Sequence, residues 1–527
     1  MFYKIGVDVG GTNTDAVLVS NADEIIAKTK QTTTSDISSG IENAISEVLS
    51  QSKIPKELIK YIMLGTTHCT NALVERKELN KVGAIRIGLP AGSAIPIMTD
   101  FPEDLKKMLE KHCYMVNGGY EYDGRLLNPL NEMQIKACLL KMKGEVESLA
   151  ITGIFSKINA DQEIQVKDWA KEILGDDIKV SCSFQIGGLG LLDRENACIL
   201  NAALHGVALK MVHAFRATVS RLQLNAQLFI GQNDGTLMSL EQVQQFPIHT
   251  ISSGPTNSIR GAGLMSKVKN GIVIDVGGTT SDAGALINFF PRESTQATEI
   301  GGVLTNFRMP DVVSVGIGGG TIVRFDHDVC TLGPDSVGFR LKEKSIAFGG
   351  DTLTLSDFFI ADNQLQLNDV LQKRELVAKI SSTLLISYEQ ALELVKTEIQ
   401  QKIEKLVDAL KNNADEVSVV GCGGGAFLLP KKIAGVSEVL FPRDMEVANA
   451  FGVCIAKISS EEEIVINTMC ADEKEEMQKL LDKAKSNLLS KGAKQETIAV
   501  LIKEAVPLAY LPGAMLLRIK LFGDLNN

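Results

Sequence analysis

The chain has 527 residues, of which 45% are hydrophobic and 22% charged, a composition typical of a globular protein and long enough for two or three domains. Its formal net charge of −10 argues against a nucleic-acid-binding protein, because such proteins usually carry a basic surface. The nine cysteines include no Cys-x-x-Cys pair, and neither a leader sequence nor a run of ~18 apolar residues is found, so we expect a cytoplasmic protein with reduced thiols and no membrane span.

The first predicted element is a β-hairpin at residues 4–20, which have the sequence KIGVDVGGTNTDAVLVS. An apolar, β-branched run leads to Asp8, two glycines follow, and a second apolar run begins after Asp15. Glycines permit a close approach of the backbone to a ligand, and successive N–H groups in such a turn form a concave anion site. We therefore predict a phosphate-binding turn formed by Gly10, Gly11, Thr12, Asn13 and Thr14.

The next two stretches of interest lie before the middle of the chain. An apolar run at residues 61–64 is followed by a loop-like stretch of small polar residues at 66–71. Residues 191–204, LLDRENACILNAAL, predict a helix that begins with the charged residues Asp193, Arg194 and Glu195.

Residues 271–287, GIVIDVGGTTSDAGALI, repeat the first hairpin, with Asp275 and Asp282 in the places of Asp8 and Asp15. The repeat predicts two related domains and a second phosphate-binding turn, formed by Gly277, Gly278, Thr279 and Thr280. A buried carboxylate beside a phosphate requires a cation, so we expect Asp8 and Asp275 to hold Mg²⁺ through its waters. For Asp15 and Asp282 a structural role, in which they accept hydrogen bonds from the turns, stays open.

A third glycine cluster, VSVVGCGGGAFLLP at residues 417–430, follows the stretch at residues 387–412, in which apolar residues at 391, 395, 399, 403, 406 and 410 predict a helix. Ser387 and Gln390 have the spacing of a capping box at the start of this helix. The glycine loop either lets an adenosine lie against the backbone of Gly423, Gly424 and Gly425, or is an ordinary strand-to-helix turn.

These three glycine-rich elements together resemble the ATPase superfamily of sugar kinases, actin and Hsp70, and the chain is more closely similar to the hydantoinase A/5-oxoprolinase family. The stretches that carry the closer resemblance are LGTTHCTNALVERK at 64–77, LFIGQNDGTLM at 228–238, ISSGPTNSIRGA at 251–262 and VGIGGGTI at 315–322. One departure is that Met63 and Leu64 stand where the family often has a histidine, whereas His68 lies inside the motif.

The resemblance implies an α/β protein with two actin-like, ribonuclease H-like ATPase lobes with mixed sheets, and with ATP and Mg²⁺ bound between them. It implies an ATP-dependent hydrolase that opens a cyclic amide or imide, of the 5-oxoproline or hydantoin class, through phosphorylation of the carbonyl oxygen. Two alternatives stay open: an ATP-using subunit of a ketone carboxylase or a small-molecule kinase on the same scaffold, and a nucleotide-regulated binding protein. A hydantoinase B-like partner subunit and a homo-oligomer are both compatible with the resemblance, whereas nucleic-acid or membrane binding is not expected.

The resemblance also assigns candidate roles beyond the phosphate turns. Besides Asp8 and Asp275, the catalytic candidates are His68, as a proton shuttle or alternatively a structural histidine, and Arg194, as a ligand of a substrate carboxylate or phosphate or alternatively a surface ion pair. The candidates on the substrate side are Thr66, Thr67, Asn71, Asp311, Gly318 and Gly319.

The resemblance and the repeat divide the chain into three predicted segments. Residues 1–185 form an N-terminal lobe with the first hairpin, in which residues 82–186 elaborate the hairpin unit. Residues 186–460 form a second lobe with the second hairpin and the adenosine loop, and residues 461–527 form a small C-terminal segment to which the sequence assigns no role.

Overall fold

The protein is built from three main β-sheets and the helices that cover them, as seen in a computed structural model that describes residues 2–11, 13–33, 37–294, 296–326, 329–384, 386–509 and 511–526. The strands, in chain order, are β1 (Tyr3–Val9), β2 (Asn13–Ser20), β3 (Ile25–Thr32), β4 (Ile59–Thr66), β5 (Val82–Leu89), β6 (His112–Asn117), β7 (Ser148–Gly153), β8 (Lys179–Cys182), β9 (Gln227–Gly231), β10 (Thr236–Ser239), β11 (Gly271–Val276), β12 (Ser281–Ile287), β13 (Phe290–Pro291), β14 (Thr298–Ile300), β15 (Val303–Thr305), β16 (Val312–Val315), β17 (Thr321–Asp326), β18 (Val329–Ser336), β19 (Val417–Cys422), β20 (Val436–Leu440), β21 (Lys457–Asn467), β22 (Ala499–Pro507) and β23 (Ala514–Gly523). The helices are α1 (Ile37–Ser52), α2 (His68–Glu75), α3 (Glu103–Leu109), α4 (Glu132–Met142), α5 (Asp161–Leu174), α6 (Leu191–Arg221), α7 (Leu240–Gln245), α8 (Ser253–Ser266), α9 (Leu341–Lys344), α10 (Leu355–Ala361), α11 (Lys373–Leu384), α12 (Tyr388–Leu410), α13 (Ala448–Cys454) and α14 (Glu473–Ser490).

The first sheet has nine strands in the order β22-β23-β21-β10-β9-β4-β1-β2-β3. Strands β1 and β2 form the predicted hairpin, in which Asp8 lies opposite Asp15. Strand β4 runs parallel to β1 and ends with Thr66 opposite Val9. The segment after β4 therefore starts beside the turn of the first hairpin.

The strand pairing of this sheet crosses the predicted segment boundaries. Strands β9 and β10 fall within residues 186–460 but pair with β4 and β21 in the first sheet, and the boundary at residue 461 lies inside β21. The C-terminal strands β22 and β23 extend the same sheet. An open sheet edge can pair with a strand from a distant part of the chain. The order of the strands in the sequence therefore does not show which strand pairs there.

The second sheet repeats the arrangement of the first around the second hairpin. Its main strands have the order β13-β12-β11-β19-β20, and β11 and β12 place Asp275 opposite Asp282. Strand β19 runs parallel to β11, as β4 runs parallel to β1. Helix α12 covers this lobe, begins with the predicted capping box of Ser387 and Gln390, and buries its apolar face.

The third sheet consists of four parallel strands in the order β6-β5-β7-β8 and lies within the segment predicted to elaborate the first lobe. Helix α6 packs against it on one side and against the first sheet on the other. By length and composition, α6 is the one helix of the described residues that could cross a membrane, but 72% of its most apolar window is buried inside the protein. It is packed as a core helix.

Two crossing helices join the two lobes. Helix α8 packs on the second sheet, where Ile259 contacts the residues of β11 and β12, and α13 packs on the first sheet through Ala450 and Phe451. At the crossing, a Cβ atom added to Gly261 would lie 2.0 Å from the carbonyl oxygen of Ala448, and one added to Gly452 would lie 1.9 Å from that of Asn257. Only glycine allows the two backbones to approach so closely.

Candidate functional site

A cleft of about 600 Å³ lies between the turns of the two hairpins. The structure brings the three predicted glycine elements together around it. The predicted nucleotide-binding residues that line the cleft are Gly10, Gly11, Asn13, Gly277, Gly278, Thr279, Thr280, Gly423, Gly424 and Gly425. Residues of both lobes thus face a single cavity of the size of small-molecule sites.

The turn of the first hairpin is held by its own backbone. The N–H of Gly10 donates to the carbonyl of Asn13 at 3.0 Å, and the hydroxyl of Thr33 donates to the carbonyl of Gly10 at 2.8 Å. Thr14 is buried, its hydroxyl lies 3.2 Å from that of Thr33, and it does not line the cleft, contrary to its predicted role as a phosphate ligand. Thr12, also predicted to bind phosphate, lies outside the described residues.

The turn of the second hairpin is closed in the same way, and it also accepts hydrogen bonds from the loop at residues 319–320. The N–H of Gly277 donates to Thr280 at 2.8 Å, while the N–H groups of Gly319 and Gly320 donate to the carbonyls of Gly277 and Gly278 at 3.1 and 2.7 Å. A Cβ atom on Gly318 would lie 2.5 Å from the nitrogen of Thr279. The loop predicted on the substrate side therefore positions the second turn.

The third glycine loop contacts the second hairpin directly. Gly423 has a φ of +83°, and a Cβ atom added there would lie 2.2 Å from Oδ1 of Asp275. The N–H of Gly425 donates to the carbonyl of Val276 at 2.7 Å. The backbone of this loop thus lies against Asp275 and beside the cleft.

We expect Gly423→Ala to lower the free energy of unfolding by roughly 2 kcal/mol, because alanine at positive φ is strained and its methyl group would overlap Asp275. The matched control is Gly424→Ala, since a Cβ atom at Gly424 meets no atom within 4 Å. Chemical denaturation of both variants measures the difference, and equal stabilities would contradict the contact described.

Asp8 is a buried carboxylate that faces the cleft with one oxygen lacking a partner. The amide of Asn449 donates to Oδ2 at 3.0 Å, whereas Oδ1 has no hydrogen-bond partner among the described residues. Burial, together with the nearby charges of Asp15 and Asp275, raises the pKa of Asp8 from 3.8 to about 7. Burial and the charge of Asp282 likewise raise the pKa of Asp275 to about 6.

This pair of carboxylates fits a divalent cation. Carboxylates whose pKa values are raised by burial and by nearby negative charges gain stability from a positive charge, and Asp8 and Asp275 both line the cleft. No cluster of three or more His, Cys, Asp or Glu side chains with metal-binding geometry is found in the described part of the chain. An ion held here would therefore need waters or phosphate oxygens as its remaining ligands.

The second aspartate of each hairpin is held by hydrogen bonds to its neighbours. Asp15 accepts from Lys30 at 2.7 Å and from Asn449, which donates to Asp8 as well, at 2.9 Å. Asp282 accepts from the hydroxyl of Ser314 on β16. These contacts favour the structural role that the sequence left open for Asp15 and Asp282.

Lys30 and Asn449 are site residues that the sequence analysis missed. Lys30 lies directly opposite Asp15 in the pairing of β2 with β3, so a predicted third strand would have revealed the pair. Asn449 belongs to α13, far along the chain, and no local pattern points to it.

The stretch after β4 reaches the cleft through one residue. Thr67 lines the cleft, whereas Thr66 is buried and its hydroxyl accepts the N–H of His68 at 3.1 Å. Asn71 donates to the hydroxyl of Thr67 at 3.4 Å. His68 is half-buried and does not line the cleft, and burial lowers its pKa from the ordinary value of a histidine.

Arg194 and Asp311 do not lie in the cleft, which corrects their predicted roles. Arg194 is fully buried at the start of α6, and its guanidinium donates to Ser183 at 3.0 Å and to the carbonyls of Gly153 and Leu189 at 2.6 Å each. It is neither a surface ion pair nor free for a substrate. Asp311 forms an ion pair with Arg292 at 2.6 Å. Charged residues at a helix start do not show from sequence whether they face solvent or the core.

The two raised pKa values predict a pH dependence of stability for the protein without ligands. Asp8 and Asp275 bind a proton more tightly in the folded state, so their contribution to the free energy of unfolding is full below pH 4 and is lost as the pH rises through about 6 and 7. We expect Asp8→Asn to gain stability relative to the wild type at pH 8 but not at pH 4. Urea denaturation at both pH values checks this, and a difference independent of pH would contradict it.

Comparison with known proteins gives consistent matches along the chain. Residues 4–174 match the family model of the hydantoinase/oxoprolinase N-terminal region, and residues 194–462 match that of hydantoinase/oxoprolinase. The chain is 24% identical to caprolactamase subunit alpha of Pseudomonas jessenii over 93% of this chain and 76% of that protein. It is 23% identical to 5-oxoprolinase 1 of Arabidopsis thaliana, of which it covers 41%.

Solved structures share the fold over the whole chain. The ATP-dependent caprolactamase of Pseudomonas jessenii superposes with a TM-score of 0.82 at 19% identity, covering 100% of this chain and 88% of that one. Nucleotide-free acetone carboxylase superposes with a TM-score of 0.70 at 17% identity, covering 99% and 88%. The predicted α/β fold of two lobes with mixed sheets is confirmed, with the C-terminal segment built into the first sheet.

Proposed function

Because this chain belongs to the hydantoinase/oxoprolinase family, we propose that it is an ATP-dependent enzyme that opens a cyclic amide or imide. The observation that carries the proposal is the shared cleft, into which two phosphate-type turns and the carboxylates Asp8 and Asp275 face from opposite lobes. The names of the relatives support it, since a caprolactamase and a 5-oxoprolinase are named for cyclic amides.

The proposed reaction solves a chemical problem, which is that an amide carbonyl is a poor electrophile. The carbonyl oxygen takes the γ-phosphoryl group of ATP as the bond to ADP breaks, and water then adds to the activated carbon. The C–N bond breaks as the nitrogen takes a proton, and a second water releases phosphate from the acyl phosphate. The work of the protein is to align the γ-phosphate with the carbonyl oxygen and to exclude water until transfer is complete.

The residues of the cleft divide this work between the two lobes. The N–H groups of Gly11 and Gly278 would donate to the phosphates, since those of Gly10 and Gly277 close the turns, and the loop at Gly423–Gly425 would receive the adenosine. Asp8 and Asp275 would hold Mg²⁺, which supplies positive charge against the phosphate oxygens. These roles fit the polar, two-sided lining of the cleft.

The ring substrate would lie on the side of the cleft that Thr67 lines. His68, the next residue, does not itself line the cleft, and burial lowers its pKa, which favours the neutral imidazole that can accept a proton and then pass it on. We propose it as the proton carrier for the ring nitrogen. Arg194 takes no part, because all its contacts are internal.

A partner subunit is part of the proposal. The caprolactamase relative is named as a subunit, and this chain covers less than half of 5-oxoprolinase 1. A hydantoinase B-like subunit is therefore the proposed partner of this chain.

The test is phosphate release from Mg-ATP by the purified full chain, with and without 5-oxoproline, hydantoin, caprolactam, and acetone with bicarbonate. Stimulation by one ring compound with an opened-ring product supports the proposal. Stimulation only by the ketone with bicarbonate, or a stable phosphoester product, would instead indicate a carboxylase subunit or a kinase. Failure to bind ATP would refute it.

A further inference from the structure

A second cavity, of about 520 Å³, lies apart from the cleft between the hairpins. Residues 232–234, which follow β9, and residues 185–189, which follow β8, form two of its walls, and both strands belong to parallel pairs. Ligands of α/β proteins characteristically bind outside the carboxyl ends of such strands. The segment at 228–238, singled out in the sequence but without a role in the nucleotide cleft, therefore leads into a cavity of ligand size.

One side of this cavity is a buried ion cluster contributed by the C-terminal strands. Lys520 lies 2.8 Å from Asp234 and 2.8 Å from Glu293, and Arg518 lies 2.7 Å from Glu293 and 2.5 Å from Glu461. Lys520 and Arg518 are almost fully buried. The positive charges of Lys520 and Arg518 are paired with carboxylates of the cluster. These two residues therefore stabilise the wall of the cavity and are not free to bind a ligand.

Arg308 faces the same cavity but is bound much less closely. The nearest approaches of its guanidinium to a carboxylate are 3.8 Å to Glu461 and 4.0 Å to Glu293, beyond hydrogen-bond distance. Lys491, at the mouth, donates to the carbonyl of Ser459 and has no carboxylate within 4.0 Å among the described residues. Arg308 and Lys491 thus line the cavity with N–H donors that make no hydrogen bond to a described carboxylate.

The other end of the cavity is aromatic. His249 lies between Phe246 and Phe307, with ring centroids 5.9 Å from each. Burial lowers the pKa of His249, which favours the neutral ring with one donor and one acceptor. An apolar body with an adjacent polar group fits this end.

We propose that this cavity is a second small-molecule site, which binds an organic carboxylate through Arg308 and holds its apolar body against Phe246, His249 and Phe307. A planar guanidinium with free N–H groups is suited to bidentate recognition of a carboxylate. The proposal goes beyond the nucleotide chemistry and does not depend on it.

One helix connects this cavity to the nucleotide cleft. Thr256 and Arg260 of α8 donate to the carbonyls of Asn233 and Gly235 at 2.8 and 2.5 Å, and these residues belong to the loop that leads into the cavity. Gly254 and Ser258 of the same helix line the cleft. Because the cavity lies apart from the cleft, a carboxylate bound here would act as an effector of ATP turnover.

The test is calorimetric titration of the full chain without nucleotide, using pairs of compounds that differ in one carboxylate. The pairs are 5-oxoproline with 2-pyrrolidinone, and benzoate with benzamide. We expect at least one carboxylate to bind about tenfold or more tightly than its uncharged partner, and Arg308→Gln to abolish that preference. Arg308→Lys should keep part of it, and Arg221→Gln, which removes an exposed ion pair with Glu42, should keep all of it.

Three results would overturn the proposal: no carboxylate binds, Arg308→Gln retains the preference while its melting temperature equals that of the wild type, or a non-hydrolysable ATP analogue competes for the same site. A changed rate of phosphate release without consumption of the carboxylate identifies the effector role. Binding of the ATP analogue to the wild type and to Arg308→Gln is measured in parallel. If the wild type does not bind the analogue, the proposed function is refuted, whereas the carboxylate result still stands.

Discussion

Replacing Asp8 by asparagine is expected to slow ATP turnover by about 10²–10³-fold while the protein stays folded. Asparagine has nearly the same shape, and its carbonyl oxygen can still accept the hydrogen bond from Asn449 that now reaches Oδ2. What is removed is a negative charge whose pKa burial has raised to about 7. The variant should therefore lose cation and phosphate positioning without losing packing, and turnover at saturating Mg-ATP measures this.

The controls for this experiment separate charge at the site from charge elsewhere. Asp23→Asn removes an exposed carboxylate paired with Lys4 and should leave turnover unchanged. Asp275→Asn should resemble Asp8→Asn, because both carboxylates face the cleft. Wild-type turnover in Asp8→Asn would rule out the proposed role of this carboxylate.

The second large effect is expected from Gly452→Ala at the crossing of α8 and α13. The added methyl carbon would lie 1.9 Å from the carbonyl oxygen of Asn257 and 2.7 Å from its carbonyl carbon. Both are backbone atoms, so the overlap is relieved only if the two helices separate. We expect a loss of about 3 kcal/mol in the free energy of unfolding and weaker binding of an ATP analogue, since the helices join the lobes that form the cleft.

Gly254→Ala is the matched control for stability, because it lies in the first turn of α8 and its Cβ atom would meet only Thr67 at 3.7 Å. Thermal and urea denaturation compare the two variants. Equal losses would mean that the replacement of a helical glycine, and not the close crossing, determines the effect.

The parts of the site that could be predicted are those whose residues lie close together in the sequence. Each hairpin brings its strand, glycine turn and aspartates together within one short stretch, so Asp8 and Asp275 could be identified before any tertiary information. The capping box of Ser387 and Gln390 and the buried face of α12 follow from local spacing in the same way.

The parts that could not be predicted depend on contacts between distant segments. Asn449 holds both aspartates of the first hairpin, although it lies near the other end of the chain. Arg194 stands in a charged helix start that suggested a ligand, yet the loops around Ser183 and Leu189 enclose it. Strand β9 joins the first sheet by pairing with β4, and β10 then pairs with β9, and no local pattern encodes that choice.

The composition of the first sheet sets an order of events during synthesis. The strands of the second sheet, β11 to β20, are all made before β21 and β23, the strands that complete the first sheet. Domains generally fold as units while the chain grows, and pairing between distant strands is slow. All strands of the second sheet are therefore available while β10 still has an exposed edge, with which β21 later pairs at Leu237 and Ile458. Until then, this open edge of the nascent first lobe is a potential site of aggregation.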